Sequence, residues 1–130
     1  MEKERYDQAA VRHFADARHL ARESRYDGAG HLIGFAAECA IKHAVSKIRP
    51  NADAPHRHLP ELVEAAKKAL HGSRHRNVLE LFRRADFFGG WTVEGRYHGD
   101  GSISKGQYAI WEAHAQRALA AAGLRGGPDV

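Results

Sequence analysis

The chain has 130 residues, of which 43% are hydrophobic and 28% charged, with a formal net charge of +4 and ten histidines. That length fits one domain, which buries about two thirds of the surface its unfolded chain exposes. The single cysteine, Cys39, excludes an internal disulfide, and the modest basic excess fits a nucleic-acid partner without requiring one.

Tyr6, Ala10, Phe14, Ala17, Leu20 and Ala21 recur at three- and four-residue steps and predict a helix over 6–24. The segment 25–28 breaks the pattern, and Asp27 reads as the N-cap of a second helix over 29–48. Its first half, Leu32 to Ile41, is apolar nearly all round apart from Glu38, so it should lie inside the bundle. That run is too short to span a bilayer. Pro50, Asn51, Asp53 and Pro55 mark a loop, after which Pro60 stands at the first turn of a third helix over 59–70, ended by Gly72.

A fourth helix is expected over 74–88, with Val78, Leu81, Phe82 and Ala85 inward. The segment 89–101 carries five glycines with Trp91 and Tyr97, the composition of an anchored loop. Ser104 and Gln107 have capping-box spacing, the last helix should run to about Ala122, and Gly123 should close it. The expectation is one all-α domain over 1–123, an up-and-down bundle of about five helices, with a tail over 124–130. No apolar run follows Met1–Arg5, so we expect no leader and a cytoplasmic protein without membrane attachment.

Glu38 and Lys42 are spaced i, i+4 with the acid first, the better order for a helical ion pair. At 100° per residue His31 falls on the same stripe. The stripe reads either as a structural ion pair or as one wall of a cleft in which Glu38 and Lys42 meet Arg96 or a ligand. Arg96 can grip a phosphate with its planar fork and Tyr97 can stack on a base; equally, Trp91 and Tyr97 can plug the loop onto the bundle. His98 is a candidate acid or base. His56, His58, His71 and His75 lack the converging ligand set of a zinc site, so no metal is expected; His58 reads as a helix-start residue whose ring bonds backbone or a loop. Lys67, Lys68, Arg74, His75, Arg76, Arg83 and Arg84 form a basic run, either a phosphate-tracking face or a solvated one. Cys39 is expected to be buried and inert.

Three stretches in order resemble the HEPN superfamily, small helical domains often tied to nucleotides or RNA. Gly34-Phe35, then Glu38, then Lys42 is similar to the family's second-helix pattern. His58-Leu59-Pro60-Glu61-Leu62 resembles the start of its third helix. Trp91-Thr92-Val93-Glu94-Gly95-Arg96-Tyr97 is similar to a Trp-x-Val-x-x-Arg-Tyr signature of one bacterial branch. The resemblance implies a homodimer that binds or acts on RNA or a nucleotide without metal or cofactor, with a nucleotidyltransferase-type protein as a possible partner in a toxin–antitoxin pair. It places Arg96 and His98 as the catalytic candidates, and Glu38, Lys42, Tyr97, Trp91, His58 and His31 as ligand-binding candidates. Many members carry Arg, four to six residues, then His; here His98 follows Arg96 too closely and His114 too distantly. The alternative is a non-catalytic helical module that binds a small molecule or a protein.

Overall fold

The apolar second helix becomes the axis of the bundle. The computed structural model describes residues 5–48, 57–59, 61–70, 76–83 and 86–124; of Ile48, Arg76, Arg96 and Tyr97 it describes the backbone. These hold five α-helices, α1 (Tyr6–Arg22), α2 (Tyr26–Ile48), α3 (Glu61–Leu70), α4 (Arg76–Phe82) and α5 (Lys105–Ala121), with one 3₁₀ turn at Val93–Tyr97 and no strand. The helix α2 packs against α1, α3, α5 and the 3₁₀ turn.

Small residues make this possible. Ala29, Ala36, Ala37, Ala40 and Ala44 on α2 are buried, and so are Ala10 and Ala17 on α1 and Ala115 and Ala118 on α5. Short side chains bring helix axes close, and Phe14, Ile33, Ile41, Leu62 and Leu119 fill the space that remains. Truncating one of these larger side chains to alanine should cost about 2–5 kcal/mol, the usual range for such cavities.

The helix ends follow from local bonding. At the close of α1, the Arg25 N–H bonds the Leu20 carbonyl at 2.9 Å and the Ser24 N–H bonds the Ala21 carbonyl at 2.9 Å. This is a Schellman motif with Ser24 in the left-handed region at φ 61°. The chain needs only Glu23, Ser24 and Arg25 to reverse, and α2 then starts at Tyr26, three residues earlier than its composition suggested. Asp27 therefore lies in the first turn of α2 and is not its N-cap. On α5, Ser104 is the N-cap, its hydroxyl accepting from the Gln107 N–H at 3.0 Å, and Gly123 at φ 79° closes a second Schellman motif.

The helix α4 ends at Phe82, six residues short of the expected end. Phe88 takes a positive φ of 52° and Gly90 one of 82°, which turns the chain. The Phe88 N–H bonds the ring of His114, at 3.0 Å, where a helix would give it to a carbonyl four residues earlier. Val78, Leu81 and Phe82 face the core as expected. Pro50, Pro55, Pro60, Gly72, Ala85 and the tail beyond Leu124 lie outside the described residues.

Candidate functional site

Two structures are built on α2, one near its start and one at its middle. Near the start, the Asp27 carboxylate accepts the Gly101 N–H at 2.7 Å and the Ile103 N–H at 3.0 Å, from a segment more than seventy residues away in sequence. These two donors favour the charged form and hold the Asp27 carboxyl below the usual aspartate range. One helical turn further, the Trp91 Nε1–H donates to the Gly30 carbonyl at 2.9 Å. The indole lies directly on Gly34, where any Cβ would overlap the ring. On the same helix face a Cβ at Gly30 would come within 2.8 Å of Ile103 and 3.2 Å of Trp111. The two glycines are thus the seat on which the loop after α4 and the start of α5 rest.

The loop and α2 enclose a cleft of about 340 Å³, whose lining includes Asp27, His31, Gly95, His98, Asp100 and Ser102. His31 is half-buried, stacked on Trp91 at 5.6 Å between ring centres and meeting the Phe35 ring edge-on at 4.7 Å. His98 is exposed. The structure therefore brings His31 and His98 to one cleft, a pairing that spacing along the chain does not suggest. Trp91 is buried and acts as a plug. Arg96 and Tyr97 lie in the 3₁₀ turn against α2, and their side chains fall outside the described residues.

At the middle of α2, Glu38 is only 2% exposed. Its expected partner was Lys42, but the structure assigns others. The carboxylate accepts the Leu59 N–H at 2.8 Å to Oε2 and lies within hydrogen-bond distance of His58 Nδ1, at 3.0 Å from Oε1 and 3.2 Å from Oε2. The physical reason is burial: a carboxylate in the core needs close polar partners, and two come from the chain entering α3. Lys42 points elsewhere, its ammonium 5.8 Å from the centre of the Tyr6 ring. His58 caps the start of α3 through its carbonyl, which accepts the Leu62 N–H at 2.9 Å, and its ring lies 6.3 Å from Phe35. The half-exposed His58 ring thus reaches a side chain of another helix, beyond the local backbone contact expected of it.

His114, too distant from Arg96 for the Arg–His spacing, has a role that its position in the sequence does not suggest. It is buried, stacks on Phe87 at 5.6 Å, and its Nδ1 accepts the Phe88 N–H. Its work is to hold the turn after α4. An apolar seven-residue pattern around it on α5 was the available signal, and it marks burial rather than chemistry.

The basic run divides. Lys67 pairs with Glu64 at 3.4 Å within α3, and Arg83, just past the end of α4, pairs with Glu80 at 3.2 Å, as expected for a solvated charged face. Arg74, His75 and Arg84 lie outside the described residues, as do His56 and His71. Cys39 is partly exposed and not fully buried. Among the described residues no group of three or more His, Cys, Asp or Glu converges as a metal site would require, and no helix is long and apolar enough to cross a membrane. Comparison with known proteins gives no match to a family model, a curated protein or a solved structure.

Proposed function

We propose that this chain is a HEPN-like protein that binds RNA or a nucleotide and cleaves RNA without metal, working in the cytoplasm as a homodimer. The observation that supports this reading best is the shared cleft of His31 and His98, one residue beyond the Arg96–Tyr97 turn. Two imidazoles on one cleft suit proton transfer near neutral pH, and an arginine in the adjoining turn suits phosphate. A nucleotidyltransferase-type partner protein accords with the same reading. The test is incubation of the purified protein with mixed RNA in chelator, beside Arg96→Ala and His98→Ala. We expect cleavage by the unaltered chain and its loss in both variants; cleavage that persists in both would remove these residues from the chemistry.

One observation favours a second reading, a non-catalytic module for a small ligand. Asp27 and Asp100 also line the cleft, and carboxylates repel a phosphate. On that reading RNA stays intact, and a neutral or cationic small molecule raises the melting temperature of the unaltered chain more than that of Asp100→Ala.

A further inference from the structure

The last turns of α1 and the first turns of α5 border a second cavity, of about 320 Å³. No described residue lines both this cavity and the loop cleft. Tyr26, which opens α2 directly after the three-residue turn, meets Tyr108 of α5 with 6.1 Å between ring centres and a tilt of 42°. Tyr108 is buried and Tyr26 half-buried, so two phenol rings form part of the wall. Ala21 and Ala109 project only a methyl each, which keeps the space between the helices open.

The charge of this wall is uneven. Arg18 and Arg22 of α1 and Lys105 of α5 line it, against the single carboxylate of Glu112. That carboxylate is already engaged: its Oε1 accepts the Tyr108 hydroxyl at 2.9 Å and lies 3.9 Å from Arg18 Nε. Burial first, and then this hydrogen bond, push the Tyr108 hydroxyl above the usual tyrosine range, while Arg18 and Arg22 act in the opposite direction. The phenol therefore stays neutral and adds no negative charge. Among the described residues, Arg22 and Lys105 form no ion pair, and both are exposed. Cations that merely solvate a surface need neither a cavity nor rings. These bracket a cavity of the size that compact ligands fill.

We infer that this cavity binds a compact organic anion, a flat ring bearing one carboxylate or phosphate, with Arg22 and Lys105 on the charged group and Tyr26 and Tyr108 against the ring. A guanidinium offers two parallel N–H donors to a pair of anionic oxygens, and an ammonium adds a point charge. A tilted pair of phenols suits a third ring, because aromatic contacts favour offset and edge-to-face geometry. Glu112 gives the site its direction. It repels an anionic group placed beside the Tyr108 hydroxyl, so that group is turned toward Arg22 and Lys105 and the ring toward the phenols. Arg18, shared with Glu112, completes the positive wall. Binding here involves no covalent step and does not depend on RNA cleavage.

The test titrates the full chain with phenyl phosphate, benzoate, inorganic phosphate and benzylamine, followed by calorimetry and by ring-proton NMR of Tyr26 and Tyr108. Probes of this size bind with a Kd of about 1 mM, so the titrations run to about 10 mM. Phenyl phosphate or benzoate should shift the signals of both tyrosines, and the tighter of the two identifies the charged group. Inorganic phosphate, lacking the ring, should bind more weakly, and benzylamine should leave both signals in place. Arg22→Gln and Lys105→Gln should each weaken binding about 10-fold, the usual worth of a hydrogen bond to a charged group. Arg117→Gln removes an exposed cation about three turns further along α5 and should leave binding as it is. All three positions are exposed, so the variants fold as the unaltered chain does. Equal losses in Arg117→Gln and Arg22→Gln would show that binding follows net charge and not the cavity, and would overturn the inference. Unmoved Tyr26 and Tyr108 signals with both ring-bearing anions, or equal binding of inorganic phosphate and phenyl phosphate, would overturn it as well.

Discussion

Asp27 and Glu38 are carboxylates on one helix, and each accepts backbone N–H bonds from a segment later in the chain. They differ in what surrounds them. Asp27 lies at the edge of α2, where water can replace the amides it holds. Glu38 lies in the core, where nothing can. The same kind of bond therefore does two jobs. At Asp27 it selects one loop conformation at small cost in stability, and at Glu38 it is a condition for the fold.

The largest effect should come from Glu38→Ala. It leaves the Leu59 N–H without its acceptor in a buried setting, at a cost of about 1–3 kcal/mol, read as the midpoint of denaturant unfolding. A loss below about 1 kcal/mol would mean that Glu38 is no more demanding than Asp27, and the contrast would collapse. Gly34→Ala probes the ground between the two carboxylates. Its methyl would overlap the Trp91 indole, and overpacking of this kind costs about 1–3 kcal/mol. Unchanged stability, with Trp91 emission unchanged, would show that the indole does not rest on α2.

Asp27→Ala should have a smaller effect, seen as faster hydrogen exchange at Gly101 and Ile103 and a slightly lower melting temperature. Its pH dependence has a definite sign. The folded carboxyl of Asp27 lies below its unfolded value because two N–H donors favour the anion. Its contribution is complete above the ordinary aspartate pKa of about 3.9 and is lost as pH falls through the lower folded value. Asp7, held at about 2 first by its hydrogen bond to Arg5, weakens in the same direction. The acid limb of the stability curve should thus be shallower in Asp27→Ala but not absent, and an unchanged limb would show that the Asp27 bonds contribute nothing. The smallest effect should be a gain. Ser24→Gly relieves a positive φ in the turn before α2 and should stabilise by about 0.5–1 kcal/mol, without touching either carboxylate.

The parts of the fold legible in the sequence are those set by near neighbours. The Ser104 cap and the Gly123 close need only three or four residues of context, and the all-round apolar run of α2 announces its own burial. Phe88 misled because an aromatic residue at positive φ runs against local preference, so the helical pattern carried past the true end of α4. Glu38 misled because Lys42 is the ideal local partner, whereas the partners that solve its burial arrive from twenty residues away. Within the candidate site, Trp91 was readable as a plug and His98 as a loop residue. The cleft that joins His98 to His31 was not readable, since it depends on the non-local bonds of Asp27 and Trp91.

The protein has two tryptophans, and each indole N–H is committed to a backbone carbonyl, Trp91 to Gly30 at 2.9 Å and Trp111 to Gly89 at 3.1 Å. One reports whether the loop after α4 is docked on α2, the other whether the turn that launches it is docked on α5. The molecule thus carries an optical gauge of its own loop: a red shift in emission that precedes the loss of helical signal would record the loop lifting away while the bundle stays intact. Any ligand that seals the cleft would delay that shift without a label being attached.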